Sequence, residues 1–167
     1  MPKDIDIIIY GATGFTGQLC VKYFQSLNTG VKWAIAGRNQ QKLQKVALDN
    51  SVEVDILIAD SDDEAALDML TSRAKVILST TGPFHRYGSK LVASCVKNSA
   101  NYVDITGENF WVKDLIAKHH EEASAKGIRI IPSCGYDSIP SDLGVFYSAK
   151  ALNKPIKRIE SFHSWEG

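Results

Sequence analysis

The chain has 167 residues, with 19 basic and 19 acidic side chains, a formal net charge of zero and 44% apolar residues. This length and apolar content fit one domain with a substantial hydrophobic core. Zero net charge excludes a general attraction to nucleic acid or to an anionic membrane, so we predict neither as a partner. The apolar runs are far shorter than the ~20 residues that span a membrane, and no signal peptide is predicted.

The sequence contains three widely spaced cysteines, Cys20, Cys95 and Cys134, and no CxxC pair. This pattern is typical of reduced thiols, and it predicts a cytoplasmic protein without disulfides. His119 and His120 are adjacent, so their side chains point in different directions, and no cysteine pair accompanies them. We therefore predict no metal site.

Apolar runs and helical periodicities alternate along the chain. The apolar runs predict strands at 5–10, 31–37, 52–60, 75–82, 102–107 and 128–134. Helical spacing predicts helices over 15–27, 40–49, 62–72, 88–98 and 109–125, and a last one from about Pro140 to 151. The first helix is expected to bury Leu19, Tyr23, Phe24 and Leu27, and Ser61 is expected to cap the third in a capping box with Glu64.

Six strands that alternate with helices predict an α/β fold with a parallel sheet covered on both faces. Right-handed crossovers favour the doubly wound strand order 3-2-1-4-5-6 of the Rossmann fold. We assign residues 1–152 to this dinucleotide-binding domain. Residues 153–167 are predicted to be a linker and the first strand of a second domain that this chain lacks; an edge strand of the same sheet is the alternative.

Three glycines lie where the first strand passes into the first helix, in the stretch GATGFTG. The first allows a tight turn, the second leaves room for a diphosphate against the backbone, and the third lets the helix lie close to the strand. The helix N-terminus adds free N–H groups and a partial positive charge. We therefore predict cofactor binding, with a purely structural turn as the alternative. The predicted contacts are Gly11, Thr13, Gly14, Phe15, Thr16 and Gly17.

The end of the second strand indicates which cofactor binds. NAD sites usually place a carboxylate there, whereas this chain has Gly37 and Arg38. A guanidinium suits the 2′-phosphate of NADP, so the sequence favours NADP over NAD. A solvated loop arginine is the alternative interpretation of Arg38.

Two further strand ends lie on the same edge of the predicted sheet. Asp60 ends the third strand, and Asp60 or the backbone of Ser61 is a candidate contact for the adenine; both residues are equally well explained as helix caps. The loop after the fourth strand should run beside the nicotinamide ribose and the pyrophosphate. Its candidate contacts are Thr80, Thr81, Gly82 and Pro83.

Five motifs, GATGFTG, AGRN, TGPFHRYG, YVDITGE and CGYDSIPSDLG, together resemble the saccharopine dehydrogenase-like oxidoreductases, which include trans-acting enoyl reductases. The resemblance runs from about Ile5 to Gly144. It implies that the chain is the N-terminal portion of a longer enzyme with a larger second domain. It also implies hydride transfer between NADP(H) and a small-molecule or lipid-linked substrate, which the motifs do not identify.

The catalytic residues are not predicted, although Tyr136, Glu108 and His85 have suitable chemistry for a proton donor near the nicotinamide. Each candidate has a structural alternative, which the sequence favours: Asp104 as a buried group that satisfies backbone donors, and His85 as a residue of the loop surface. A non-catalytic dinucleotide-binding or association module is the alternative function. A complete short-chain reductase is disfavoured, because the sequence has no Tyr-x-x-x-Lys pair. The apolar stretch 156–165 predicts a possible homodimer and an isolated chain that binds cofactor without turnover.

Overall fold

Strands and helices alternate along the chain as predicted in the computed structural model, which describes residues 3–27, 30–152, 154–162 and 164. The strands are β1 Ile5–Tyr10, β2 Trp33–Gly37, β3 Asp55–Ile58, β4 Ala74–Ser79, β5 Asn101–Asp104 and β6 Ile130–Ile131. The helices are α1 Phe15–Ser26, α2 Gln40–Asp49, α3 Glu64–Arg73, α4 Phe84–Tyr87, α5 Ser89–Lys97, α6 Asn109–Ala125 and α7 Ile139–Leu152. Several strands are shorter than predicted, β6 most of all.

The strands form one parallel sheet in the order β3-β2-β1-β4-β5-β6. In its centre, Ile8 of β1 lies level with Ala34 of β2 on one side and with Ile77 of β4 on the other. The predicted doubly wound fold is therefore confirmed. Because β1 lies between β2 and β4, the strand order reverses there, and a crevice opens at the carboxyl ends of these three strands.

Each face of the sheet has its own hydrophobic core, because successive strand side chains point to opposite faces. Ile8 packs with Leu67 of α3 and Leu91 of α5 on one face. Ile9 packs on the other face with Val21 of α1 and Leu43 of α2. The isoleucine-rich run of β1 is thus explained by a strand that is buried on both faces.

The inner face of α1 differs from the prediction. Leu19 and Tyr23 are 53% and 62% exposed, whereas the buried residues of the helix are Gly17 and Val21. Gly17 lies so close to the glycine turn that a Cβ there would stand 2.2 Å from the carbonyl oxygen of Gly11. This close approach turns the glycine face of α1 to the sheet and leaves Leu19 and Tyr23 outside, whereas Phe24 packs against the core as predicted and is partly buried.

The cap of α3 was also predicted wrongly. Its N-cap is Asp63, whose carboxylate accepts a hydrogen bond from the backbone N–H of Ala66 at 3.0 Å. Ser61 precedes the helix by three residues and does not cap it. Ser61, Asp62 and Asp63 are all residue types that cap helices well. The backbone path after β3 places Asp63 at the N-cap position.

Helix α7 begins at the predicted position, but none of its residues is buried. Leu143, Phe146 and Tyr147 are exposed, as are Ile159 and Phe162 beyond the helix. The predicted final strand is absent from residues 154–162 and 164, and Trp165 lies outside the described residues. A large apolar surface is therefore exposed at this end of the chain.

Candidate dinucleotide-binding site

A cleft of about 400 Å³ opens at the carboxyl ends of β1, β2 and β4. The predicted site residues that line it are Gly11, Thr13, Gly14, Arg38, Thr80, Thr81, Gly82 and Pro83. The wall also includes Tyr10, Gly37, Ser61 and Tyr87. The cleft lies at the switch point of the sheet, where doubly wound proteins bind their ligands.

Gly11 and Gly17 are required by the packing of the turn itself. Gly11 has a φ of +88°, and a Cβ on it would stand 2.3 Å from the hydroxyl oxygen of Thr81. A Cβ on Gly17 would meet the Gly11 carbonyl, as described above. Any side chain at either position would therefore force the turn or the helix to move.

Gly14 is different, because the protein itself leaves room there. The nearest atom to a Cβ on Gly14 would be the Gly11 carbonyl oxygen, at 3.4 Å. The residue lines the cleft and is the N-cap of α1, with no side-chain cap. A ligand against the backbone explains a glycine here better than the packing of the protein does. The first N–H groups of α1, which have no partner inside the helix, lie next to this space.

Thr80 and Thr81 follow β4 but are used differently. The Thr80 hydroxyl lies 3.3 Å from the carbonyl oxygen of Tyr10 and 3.2 Å from that of Gly11, and it donates to these acceptors. Thr80 therefore ties the end of β4 to the glycine turn. The Thr81 hydroxyl oxygen is buried, and it has no hydrogen-bond partner in the described part of the chain. A buried hydroxyl without a partner, in the wall of a cleft, fits a ligand that supplies one.

Arg38 is exposed and stands at the rim of the cleft, directly after β2. It forms no ion pair with any described residue. Its charge is therefore available to an anion at the end of β2, and its contact with a cofactor phosphate stays a prediction.

Some predicted contacts do not lie in the cleft wall. Asp60 instead stabilises the turn after β3, where its carboxylate accepts from the backbone N–H of Asp62 at 3.0 Å. Phe15 is 82% exposed, and neither it nor Thr16 lines the cleft. Gly17 lies behind the turn. Contacts of these residues with a cofactor stay predictions.

The sequence analysis did not identify Tyr10 and Tyr87 as cleft residues. Tyr10 is the last residue of β1, and its hydroxyl donates to the Ala59 carbonyl oxygen at 3.3 Å. Burial raises the pKa of Tyr10, so this phenol stays protonated. Its position directly before the first glycine could have revealed it. Tyr87 ends the short helix α4, which the sequence did not predict. It lies within the motif TGPFHRYG, and this motif could have revealed it.

Glu108 and His85, two of the catalytic candidates, are brought together beside the cleft. The Glu108 carboxylate accepts from the backbone N–H groups of Phe84 at 2.8 Å and His85 at 2.7 Å. Its Oε2 also lies 2.6 Å from the Nδ1 of the His85 ring. Burial raises the pKa of Glu108, but these hydrogen bonds outweigh it, and the pKa lies below its usual range. Glu108 is therefore a carboxylate at neutral pH.

Asp104 holds the ends of β5 and β6 together. It is buried and accepts from the Tyr102 hydroxyl at 2.8 Å and from the backbone N–H groups of Thr106 and Ser133, both at 2.9 Å. Burial raises its pKa, and the hydrogen bonds oppose that effect. Two of these three donors are backbone N–H groups, so the structure fits the interpretation of Asp104 as a buried group that satisfies backbone donors.

Tyr136 and Cys134 follow β6. Tyr136 is 76% exposed and does not line the cleft. Burial, and to a smaller extent the charge of Asp104, raises the pKa of the Cys134 thiol. A thiol with a raised pKa is a poor nucleophile at neutral pH.

The described residues contain no group of three or more His, Cys, Asp or Glu side chains that could hold a metal ion. Within the same residues, no helix has both the length and the apolar character needed to cross a membrane.

The fold and the cleft define a nucleotide-binding Rossmann domain: a glycine turn opens α1 at the switch point of a parallel sheet. Residues 7–131 match the family model of the saccharopine dehydrogenase NADP binding domain. The chain belongs to this family, and NADP is the cofactor of the domain. The family resemblance seen in the five motifs is thereby confirmed.

Several curated proteins are similar to the chain. A saccharopine dehydrogenase-like oxidoreductase of Mus musculus is 36% identical over 175 residues, which cover 96% of this chain and 41% of the mouse protein. A trans-acting enoyl reductase of Mycobacterium leprae is 39% identical over 147 residues, covering 86% of this chain and 35% of its own length. A lipid droplet localized protein of Caenorhabditis elegans is 35% identical over 166 residues, which cover 94% of this chain and 39% of the worm protein. The chain thus spans between 35% and 41% of these relatives.

Among solved structures, the apo saccharopine dehydrogenase (L-Glu forming) of Saccharomyces cerevisiae superposes with a TM-score of 0.68. The match covers 89% of this chain and 31% of the yeast protein, at 18% sequence identity. At this identity the likeness shows the shared fold.

Proposed function

We propose that the chain is the cofactor domain of an NADP(H)-dependent oxidoreductase, which transfers a hydride between NADP(H) and a small-molecule or lipid-linked substrate. The observation that carries this proposal is Gly14, a cleft-lining glycine at the start of α1 that the packing of the protein does not require. The names of the relatives, an oxidoreductase and an enoyl reductase, support catalysis over a purely associative role.

The residues of the cleft fit NADP in three places. The first N–H groups of α1 face the space beside Gly14 and would bind the pyrophosphate. Arg38 would bind the 2′-phosphate of NADP through charge-assisted hydrogen bonds. Because NAD lacks this phosphate, the contact would select NADP over NAD. Thr81 would donate its unpaired hydroxyl to the cofactor. When bound, the nicotinamide supplies or accepts the hydride.

We further propose that residues 1–152 bind the cofactor and that residues 153–167 lead into a second domain. The cleft provides a floor at the sheet edge, and a substrate pocket also needs walls that exclude water. The relatives are longer than this chain, which supports the proposal that residues outside this chain form those walls. The isolated chain should then bind NADP without turning over substrate.

The location and assembly of the domain are part of the proposal. Cys20, Cys95 and Cys134 are all free thiols, which supports the reducing environment of the cytosol. The exposed side chains of Ile159 and Phe162 support self-association of the isolated chain through residues 156–165. Light scattering with and without these residues tests this: loss of a dimer on truncation is expected, and an unchanged mass contradicts it.

Isothermal titration calorimetry with Gly14→Val tests the main proposal. The valine side chain should occupy the space of the pyrophosphate and abolish NADP⁺ binding while the fold remains intact. Gly144→Val in α7 is a matched control, because no atom lies within 4 Å of a Cβ at that position. Unchanged NADP⁺ affinity in folded Gly14→Val would contradict the proposed site.

A further inference from the structure

We propose that His85 is the residue that donates the proton accompanying hydride transfer, and that Glu108 positions it. This inference rests on the proposed function and names a residue that the family assignment leaves open. It starts from the contact between Glu108 Oε2 and His85 Nδ1, which are 2.6 Å apart. The same carboxylate accepts from the backbone N–H of His85 at 2.7 Å. Ring and backbone of the histidine are therefore held by one group.

The contact fixes which ring nitrogen carries a proton. Glu108 is ionised at neutral pH, because its hydrogen bonds lower its pKa. A carboxylate only accepts, so Nδ1 of His85 must donate to it, and the exchangeable proton is the one on Nε2. A carboxylate on one nitrogen and an exposed second nitrogen is the arrangement that general acid–base histidines use. The His85 side chain is 51% exposed, which leaves the ring accessible to substrate and to water.

Neighbouring contacts make this arrangement rigid. The ring of His85 lies against the ring of Phe110, with centroids 5.5 Å apart. The preceding residue, Phe84, is buried and stacks on Trp111. Among the described residues, two further charged groups lie nearby: Arg86, the next residue in the chain, and Asp104, whose pKa the charge of Glu108 helps to raise after the larger effect of burial. Histidine and carboxylate are thus held by two different elements, α4 and the start of α6.

His85 lies between two residues of the cleft wall, in the loop that is expected to run beside the nicotinamide ribose. His85 is two residues beyond Pro83, a residue of the cleft wall, and two before Tyr87, another wall residue. The loop after β4 adjoins β1 at the switch point of the sheet. His85 itself does not line the cleft. Because the cleft wall is the proposed cofactor site, a residue next to this wall is placed to contact the substrate and not the cofactor.

The proposed step is balanced for reduction of a C=C or C=N bond. Bound NADPH would supply a hydride with its electron pair, and this hydride would form a C–H bond at one end of the double bond. The proton on Nε2 of imidazolium His85 is transferred to the other end. NADPH would become NADP⁺, the substrate would gain two hydrogens, and His85 would be left neutral, with its remaining proton on Nδ1 and hydrogen-bonded to the Glu108 carboxylate. Water then reprotonates Nε2.

Nitrogen NMR of the ¹⁵N-histidine-labelled chain tests the pair without a substrate. The chain has four histidines, and His85→Gln assigns the signals of His85. When neutral, His85 should carry its proton on Nδ1. Its signals should shift with NADP⁺ and stay unchanged with 2′,5′-ADP, which has the adenosine and both phosphates but no nicotinamide. Glu108→Gln should abolish the Nδ1–H preference, whereas Asp114→Asn, which removes an exposed carboxylate of α6, should preserve it.

The outcomes separate this inference from the proposed function. If both ligands bind by calorimetry and the His85 signals respond to neither or equally to both, the inference is wrong and the cofactor site stands. A neutral His85 with its proton on Nε2, or an unchanged tautomer in Glu108→Gln, also overturns it. If neither ligand binds, the proposed function fails and this inference fails with it.

Discussion

Replacement of Thr81 by valine should weaken NADP⁺ binding without lowering stability. The Thr81 hydroxyl oxygen is buried and has no partner in the described regions of the chain. An unsatisfied buried polar group costs about 1–3 kcal/mol, so valine, which has a similar shape, should leave the free energy of unfolding unchanged or raise it. In the complex the hydroxyl should donate to a charged oxygen, a bond worth about 1.5–3 kcal/mol. Its loss corresponds to an increase in Kd of about 10- to 150-fold.

Thr80→Val is the matched control, because it makes the same chemical change one residue earlier. The Thr80 hydroxyl donates toward the carbonyl oxygens of Tyr10 and Gly11, at 3.3 and 3.2 Å. Its removal should lower the free energy of unfolding by about 1 kcal/mol. The two variants should therefore change stability in different directions or by clearly different amounts.

Urea unfolding followed by circular dichroism, and calorimetric titration with NADP⁺, measure both quantities on the same samples. The reasoning is refuted if Thr81→Val binds NADP⁺ as tightly as the wild type. It is also refuted if Thr81→Val loses as much stability as Thr80→Val, because the Thr81 hydroxyl would then have a structural partner.

The wild type should bind NADP⁺ more tightly than NAD⁺ in calorimetry. Arg38→Ala should reduce the difference between the two binding free energies by about 1.5–3 kcal/mol, the value of a hydrogen bond to a charged group. Equal binding of both cofactors by the wild type would contradict the role of Arg38. Gly17→Ala should lower the free energy of unfolding by roughly 3 kcal/mol, the upper end of overpacking costs, whereas Gly144→Ala should not. The pKa of Glu108 is lower in the folded protein than in the unfolded chain. The ionised carboxylate therefore contributes stability that is complete above the unfolded pKa and is lost as the pH falls through the folded pKa. The stability deficit of Glu108→Gln should therefore be largest near neutral pH and shrink in acid, as urea unfolding at several pH values would show.

Much of the fold could be predicted because it depends on local rules. The run IDIIIY is apolar at nearly every position, as a strand buried on both faces must be. Handedness then restricts the strand order. The inner face of α1 could not be predicted from apolar spacing, because Gly17 sets how the helix lies on the turn. Periodicity assigns large apolar side chains to the core, whereas here the closest contact is made by a residue without a side chain.

The candidate site was predictable where the backbone conformation demands a residue type. Gly11 must have positive φ, and this requirement is visible in the sequence spacing. The different uses of Thr80 and Thr81 could not be predicted, because adjacent threonines look alike until their hydroxyls are placed. The contact between His85 and Glu108 joins residues 23 positions apart, and only the packing of α4 on α6 brings them together.

A crystal structure of the chain with bound NADP⁺ tests the central claim most directly. The account predicts the pyrophosphate within hydrogen-bonding distance of the first N–H groups of α1, with no side chain between it and Gly14. It also predicts the 2′-phosphate in contact with the guanidinium of Arg38. A cofactor bound elsewhere on the chain, or bound here with its pyrophosphate away from the glycine turn, would contradict the account.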